Sequence, residues 1–294
     1  MNCFIYFDLM MKEHIDIIEC PRDAMQGIKQ FISTKMKIRY INSLMSVGFH
    51  TIDFGSFVSP KAIPQMKDTS LVIDGIDTKY NTNLLAIVAN KRGADDALCF
   101  EKITHLGYPF SISEIFQNRN TNHSIEDSKL VLDYIFNKCQ KKSKSLVVYL
   151  SMAFGNPYGE PWELDLVSKY VDFLVKMGVK VISLSDTIGI ATNDKVGEIF
   201  KVLTNQYTSV EFGAHLHVLP TDGYDKINEA YKNGCRRFDG VIMGYGGCPM
   251  ASNKLMGNLP TEKILNFIES KNINSTINPL NFESAYNFSK KVFN

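Results

Sequence analysis

Short apolar runs alternate along this chain with longer segments in which apolar residues recur at helical spacing. Ile38, Ile41 and Met45 form one such helical stripe, which Ser33 can cap at its start and Gly48 can end. The apolar runs are typical of buried strands, and they lie at residues 15–19, 50–54, 84–88, 102–106, 146–150, 179–184, 210–215 and 238–243. The pattern therefore predicts eight strands with helices between them, a loop at Gln26 and a longer, largely polar loop at residues 113–122.

The spacing of the strands predicts how they are arranged. From residue 146 onward, each strand follows the previous one after roughly 30 residues, which is the size of a β-α-β unit. Eight such units indicate a closed parallel barrel and not an open sheet. We therefore expect an α/β fold, a (β/α)8 TIM barrel that forms a single domain over residues 1–294, with appended C-terminal helices at 260–294.

Composition narrows the class of protein. A chain of 294 residues with 45% hydrophobic content is long enough for one barrel domain. The net charge of +1 and the lack of a Lys/Arg block argue against nucleic acid or a membrane surface as a partner. Residues 1–11 lack the basic region of a signal peptide, so we expect a cytoplasmic protein. The six cysteines are scattered without a C-x-x-C pair, as expected for small core residues in a reducing compartment.

The segment His215-Leu216-His217 places two histidines two residues apart at the end of the seventh strand. Side chains at positions i and i+2 of a strand point to the same face, so this segment aims two imidazoles at one point. Such a pair suits a metal ion, whereas the plainer alternative is two polar side chains that close a strand.

Polar residues follow five of the predicted strands. In a parallel barrel the carboxyl ends of all strands share one mouth, so residues distant in the sequence converge there. One carboxylate and two imidazoles would leave positions open for water and substrate on a metal ion. The residues expected at this mouth are Arg22, Asp23, Asp53, Asp186, His215, His217 and the segment 246–249.

Several of these segments resemble motifs of the 3-hydroxy-3-methylglutaryl-CoA lyases, and they occur in that family's order. Residues 20–26 are similar to the family's opening motif P-R-D-G-L-Q, and residues 56–66 are similar to its second-strand signature. The segments S-D-T-I-G, H-L-H, G-G-C-P and G-N-L-P-T-E also match. The G-G-C-P segment is the most specific, because related barrel enzymes that run Claisen condensations generally lack its cysteine, Cys248. The resemblance extends over the chain from residue 15 onward.

This resemblance implies a metal-dependent carbon–carbon lyase that cleaves 3-hydroxy-3-methylglutaryl-CoA into acetyl-CoA and acetoacetate by a retro-Claisen reaction, as in leucine breakdown. It implies Mg²⁺ or Mn²⁺, no organic cofactor beyond the CoA of the acyl-CoA substrate, and a homodimer. A hard cation takes oxygen ligands and tolerates imidazole, and Mn²⁺ tolerates imidazole better than Mg²⁺. The family's metal ligands map to Asp23, His215, His217 and Asn258.

The resemblance also implies catalytic roles. Arg22 would stabilise the enolate of the leaving thioester, and Cys248 would protonate its carbanion as the general acid. Either Asp23 or His215 would take the hydroxyl proton, and the sequence does not separate them. Asp186 would complete this catalytic set by ordering the site. The residues implied in substrate binding are Gln26, Asp53, Asn120 and Ser124.

The chain departs from the family at a few positions. Asp53 stands where these lyases carry glutamate, and Val218 stands where a carboxylate usually follows the second histidine. The departures leave open a related 3-hydroxy-3-methylacyl-CoA as the substrate. Two other hypotheses for the function are a condensing enzyme of the isopropylmalate- or homocitrate-synthase type and a metal-binding barrel without catalysis. Cys248 argues against the former, and Arg22 and Asp23 together with Cys248 argue against the latter.

Overall fold

Eight parallel strands close into a barrel in the computed structural model, which describes residues 14–219, 221–247 and 256–293. Each strand pairs with the next along the chain, and the last pairs with the first, so the barrel leaves none of these eight as an edge. The predicted TIM barrel is thereby confirmed. The strands are β1 (Asp16–Glu19), β2 (Thr51–Ser56), β3 (Asn83–Ile87), β4 (His105–Ser111), β5 (Ser145–Ser151), β6 (Val181–Asp186), β7 (Glu211–Val218) and β8 (Arg237–Gly240).

A short ninth strand and a ring of helices surround the barrel. The ninth strand, β9 (Gly257–Asn258), pairs antiparallel with β7. 3₁₀ turns occur at Pro64–Met66 and Ile242–Gly244. The helices are α1 (Pro21–Gln26), α2 (Thr34–Met45), α3 (Thr69–Asp74), α4 (Lys91–Ala97), α5 (Glu114–Thr121), α6 (Ile125–Lys141), α7 (Leu164–Met177), α8 (Asn193–Gln206), α9 (Tyr224–Lys232), α10 (Thr261–Ser270) and α11 (Pro279–Phe293).

The two C-terminal helices have different positions in the fold. α10 follows β8 and supplies the helix of the eighth β-α unit. α11 lies beyond the barrel's eight units and packs on α2, where the Tyr40 ring lies 6.0 Å from Phe288 and 5.7 Å from Phe293. The helix that is additional to a (β/α)8 barrel is therefore α11.

Strand boundaries differ from the pattern's prediction by up to five residues, and two of these differences have local causes. β4 begins at His105 and not at residue 102, because the Lys102 ammonium donates to carbonyl oxygens of the segment 73–76 and so belongs to the turn before the strand. β8 ends at Gly240, ahead of the predicted residue 243, because Met243 has a left-handed backbone with φ of 63°.

Two short helices form where turns or loops were predicted. Pro21 occupies the first helical position of α1, where its fixed φ favours the helix and its missing N–H costs nothing. In α5, the Ser113 hydroxyl accepts the Phe116 N–H at 3.1 Å, and Asn122 ends the helix with φ of 58°. These local capping contacts outweigh the polar composition that had indicated a loop.

The interior of the barrel is apolar at mid-strand and polar at the carboxyl ends. Leu85, Ile87, Val147 and Tyr149 form one buried cluster inside the barrel. Gly107 makes room for them, since a Cβ there would lie 2.5 Å from the Ile87 Cδ1 atom. The apolar cluster therefore closes the floor beneath the mouth.

Glu19 connects β1 to the segment that follows β8. Its carboxyl group is fully buried and accepts the Ile242 N–H at 2.8 Å and the Thr261 hydroxyl at 2.6 Å. Burial raises the pKa of Glu19 to about 8, although these two hydrogen bonds act in the opposite direction. Glu19 therefore carries its proton at neutral pH in the folded protein.

We expect Glu19→Gln to remove part of the pH dependence of stability. The pKa of Glu19 is about 8 in the folded protein against an ordinary 4.5, so the free energy of unfolding falls as the pH rises between these values. The glutamine side chain cannot ionise, so the variant should match the wild type at about pH 5 and be the more stable protein at about pH 9. Urea unfolding at both pH values measures this, with the exposed Glu269→Gln as control. A stability difference that does not change with pH would contradict it.

Candidate metal-binding and catalytic centre

The mouth of the barrel gathers polar side chains from β1, β2 and β7. β1 leads directly into α1, whose first turn carries Arg22 and Asp23. Both are buried, as are Asp53 in β2 and His217 in β7. The strand order β2-β1-β8-β7 brings these residues together across the barrel, as the sequence predicted.

Asp23, His215 and His217 form a cluster with the spacing of metal ligands. Each offers one ligand atom, and these atoms all lie within 4.8 Å of one another. The two imidazole rings of β7 lie 5.3 Å apart between centroids. The His-x-His segment thus points both rings to one side of the strand, where the carboxylate of α1 meets them.

The hydrogen bonds of this cluster fit a bound cation. His217 Nδ1 lies 2.9 Å from the Thr187 carbonyl oxygen, so this nitrogen carries the proton because a carbonyl can only accept. The remaining nitrogen, Nε2, then presents a lone pair, and it is buried without a hydrogen-bond partner in the described residues. The Asp23 Oδ2 atom is likewise buried without one. Two such atoms at one point are what a metal ion would satisfy.

His215 is oriented from the opposite side of the ring. Its Nδ1 lies 3.0 Å from Oδ2 of Asp239, so Nδ1 donates and Nε2 is left free. Burial lowers the pKa of His215, but the hydrogen bond and charge of Asp239 and the charge of Asp23 outweigh burial and raise it. Burial and the neighbouring His215 lower the pKa of His217, which keeps that ring neutral.

Asp23 is held as a carboxylate by its neighbours. Burial opposes its charge, but Arg22 and the two histidines of β7 lower its pKa below the ordinary value. Asn258, the fourth predicted ligand, lies in β9 and pairs with His217 of β7. Its Nδ2 donates to the Tyr245 carbonyl at 2.9 Å. Its amide oxygen is the atom available to a cation.

The loop after β8 approaches α1 closely. Gly246 has a φ of 82°, and a Cβ at this position would lie 2.8 Å from both the Ala24 Cα and the Asp23 carbonyl oxygen. Only glycine permits this contact, which brings the beginning of the G-G-C-P segment to the metal cluster. Cys248 itself lies outside the described residues, and its role stays a prediction.

Arg22 binds three side chains at the mouth. Its Nε and Nη2 donate to Asp53 Oδ2 at 3.0 and 2.5 Å, and Nη1 donates to Asp23 at 3.1 Å and to Gln26 at 2.9 Å. Gln26 also donates to Asp23, so the three form one network. Burial works against the Arg22 charge, but the carboxylates of Asp53 and Asp23 raise its pKa. The guanidinium is therefore permanently charged and fixed in position.

The two notable departures from the family have local explanations. Asp53 reaches Arg22 with two donor contacts although its side chain is one methylene shorter than glutamate. Val218 is buried on the face of β7 opposite to His217, pairs with Gly257 and packs near Gly223. Neither departure removes a group from the metal cluster.

Asp186 holds the loop that follows β6. Its carboxylate accepts the Ile190 N–H at 2.9 Å and the Ala191 N–H at 3.1 Å, and it lies 3.3 Å from the Lys226 ammonium. This loop contains Thr187, whose carbonyl orients His217. Asp186 therefore holds the loop that orients His217, and its role in catalysis stays a prediction.

Two of the residues implied in substrate binding lie in the segment between β4 and β5. Asn120 is exposed near the end of α5. Ser124 caps α6, where its hydroxyl accepts the Asp127 N–H at 3.0 Å. Within the described part of the chain, no hydrogen bond joins either residue to the network of Arg22.

Three residues of the centre were not identified from the sequence. Asp239 orients His215, Thr187 orients His217, and Cys20 lies within 4.8 Å of ligand atoms of both His215 and Asp239. Asp239 could have been identified from the sequence, because a carboxylate within an apolar strand needs a partner when it is buried. The backbone carbonyl of Thr187 has no signature in a sequence.

His217→Ala is expected to weaken Mn²⁺ binding by at least about tenfold, since it removes one of the proposed ligands. The exposed His14→Ala at the opposite end of the barrel is the control and should bind as the wild type does. Electron paramagnetic resonance of free Mn²⁺ measures both. Equal affinity in the two variants would contradict the assignment of His217.

The part of the chain at 14–219, 221–247 and 256–293 contains no helix with the length and apolarity that a membrane span requires.

Comparison with known proteins identifies the same family that the sequence motifs resemble. A family model described as HMGL-like matches residues 15–288. The hydroxymethylglutaryl-CoA lyase of Bacillus subtilis is 32% identical over 257 residues, which cover 87% of this chain and 85% of that protein. The human mitochondrial hydroxymethylglutaryl-CoA lyase is 30% identical over 287 residues, 97% of this chain and 87% of that protein.

A solved structure agrees over most of the fold. The HMG-CoA lyase of Acinetobacter baumannii, in complex with coenzyme A and 3-methylmalate, superposes with a TM-score of 0.87 at 28% identity. The match covers 95% of this chain and 91% of that one. The chain therefore belongs to the HMGL-like family and is a carbon–carbon lyase of that family.

Proposed function

We propose that the chain is a divalent-metal-dependent lyase that cleaves 3-hydroxy-3-methylglutaryl-CoA into acetyl-CoA and acetoacetate. A closely related 3-hydroxy-3-methylacyl-CoA is the alternative substrate. The observation that carries the proposal is the cluster of Asp23, His215 and His217 beside a fixed guanidinium, with two buried ligand atoms that have no hydrogen-bond partner among the described residues. The names of the relatives support the substrate, and the coenzyme A complex of the Acinetobacter protein supports an acyl-CoA.

Asp23, His215, His217 and Asn258 would hold Mg²⁺ or Mn²⁺. A carboxylate, an amide oxygen and two neutral imidazoles form a donor set that suits a hard to borderline cation, and imidazole favours Mn²⁺ of the two. The bound cation supplies polarisation of the substrate oxygens as a Lewis acid.

The first proton transfer moves the substrate's C3 hydroxyl proton to a base of the protein. Asp23 and His215 are the candidates, and their pKa values are shifted in opposite directions. Arg22 and the histidines lower the pKa of Asp23, whereas Asp239 and Asp23 raise that of His215 against the effect of burial. These directions do not decide between the two, because with Nε2 on the cation and the proton on Nδ1 the His215 ring has no free lone pair. A carboxylate keeps a second oxygen when one oxygen binds the cation, so Asp23 is the favoured acceptor.

The carbon–carbon bond then breaks between C2 and C3. Its electron pair passes to C2 and the thioester carbonyl, while C3 becomes the ketone of acetoacetate. The described residues engage four of the five N–H groups of Arg22, which leaves one on Nη2 for the enolate oxygen. The Cys248 thiol gives its proton to C2, which completes acetyl-CoA, and solvent reprotonates the thiolate.

Turnover of the named substrate tests this function. Purified protein with Mn²⁺ or Mg²⁺ should release acetoacetate from 3-hydroxy-3-methylglutaryl-CoA. Cys248→Ala should lower kcat by roughly 10²–10⁴-fold, as expected on loss of a general acid, with unchanged Mn²⁺ affinity. The exposed thiol variant Cys99→Ala is the control.

Two results would contradict the proposal. Wild-type protein that binds Mn²⁺ but releases no acetoacetate would exclude this substrate. A Cys248→Ala variant with the turnover of the control would exclude Cys248 as the acid.

A further inference from the structure

A second group of potential ligands lies beside the metal cluster. Cys20, His215 and Asp239 each offer one ligand atom, and these atoms lie within 4.8 Å of one another. The three residues belong to neighbouring strands, because Cys20 directly follows β1, Asp239 lies in β8 and His215 lies in β7. Cys20 and Asp239 are buried, and His215 is largely so.

The polar atoms of this group are incompletely satisfied. Asp239 Oδ2 bonds to His215 Nδ1 at 3.0 Å, but its Oδ1 atom is buried without a partner in the described residues. The hydroxyl of Tyr149 is also buried without one, and the Tyr149 ring packs edge-on against His215 at 5.6 Å. The Cys20 thiol makes a long contact of 3.7 Å to the Ile18 carbonyl, its one hydrogen bond among residues 14–219, 221–247 and 256–293. A buried carboxylate oxygen in this state indicates a missing positive partner.

We propose that Cys20, His215 and Asp239 form a second metal site that selects Zn²⁺ and similar borderline-soft ions. Thiolate, imidazole and carboxylate are the usual zinc ligands, and three of them leave a fourth position open. Tetrahedral ligands about 2.0–2.3 Å from zinc stand roughly 3.3–3.8 Å apart, so small side-chain rotations suffice here.

The charge balance of this site favours a divalent ion. One thiolate and one carboxylate neutralise Zn²⁺ completely, which matters because an uncompensated charge is costly to bury. Burial, Asp239 and Asp53 raise the pKa of the Cys20 thiol, so the free thiol keeps its proton. Zinc binding therefore releases that proton to solvent.

The two sites exclude each other through His215. A neutral imidazole carries one proton. In His215 this proton lies on Nδ1 and is donated to Asp239, so Nε2 is free to bind Mg²⁺ or Mn²⁺. Coordination of zinc by Nδ1 moves this proton to Nε2, which then cannot bind a metal. Zinc would thus inhibit the lyase. This consequence rests on the proposed function, whereas the zinc site itself does not.

Cobalt absorption tests the site without any substrate. Co²⁺ replaces Zn²⁺ and gives a near-ultraviolet charge-transfer band only when a thiolate binds it. We expect this band in the wild type, in Cys248→Ser and in the control Cys139→Ser, which changes a buried cysteine of α6. Cys20→Ser should lack the band and yet keep the wild-type affinity for Mn²⁺, which shows that it is folded. A band that persists in Cys20→Ser, or no band in the wild type, would overturn the proposal.

A second measurement uses a variant that retains Cys20. X-ray absorption at the zinc edge of Zn²⁺-loaded Cys248→Ser should show one sulfur neighbour at about 2.3 Å. A spectrum that shows oxygen and nitrogen neighbours and no sulfur would overturn the proposal. This measurement does not depend on whether Cys20→Ser folds. Zinc should also release Mn²⁺ from the wild type at a concentration at least about tenfold lower than from Cys20→Ser, and equal concentrations would count against the shared histidine.

Discussion

A buried guanidinium between two carboxylates fixes the mouth of this barrel. Arg22 joins α1 to β2 through Asp53 and binds Asp23 with its other terminal nitrogen. Removing one partner of a buried ion pair typically costs about 3–5 kcal/mol, since the remaining charge is left uncompensated. The position of Asp23, and with it the metal cluster, depends on this network. The same contacts leave Arg22 charged and immobile where an enolate would need it.

The two histidines of β7 each offer one ligand atom to the metal cluster, but different groups orient their rings. His217 is oriented by the Thr187 carbonyl, in a loop that Asp186 and Lys226 hold. His215 is oriented by a carboxylate, Asp239, which also makes the ring more basic. One strand therefore presents one ring held by a backbone carbonyl and one ring held by a buried carboxylate. The Nδ1 atom of His215 faces Asp239, and Cys20 offers a further ligand atom to this pair within 4.8 Å.

Much of this arrangement could be predicted because it follows from strand periodicity and from barrel closure. The closed parallel barrel and the meeting of Asp23 with His215 and His217 needed only the positions of the strand ends. The missed features depend on local or tertiary contacts. α5 depends on one hydroxyl cap, and the orientation of His217 depends on a backbone carbonyl. Val218 looked like a defect of the site, but it faces the opposite side of the strand.

Anomalous diffraction at the manganese edge tests the central claim most directly. Crystals grown with Mn²⁺ should show a single strong peak at the barrel mouth, within bonding distance of an Asp23 oxygen and the Nε2 atoms of His215 and His217. A peak away from these atoms, or no peak at the mouth in protein that binds Mn²⁺ in solution, would contradict the account.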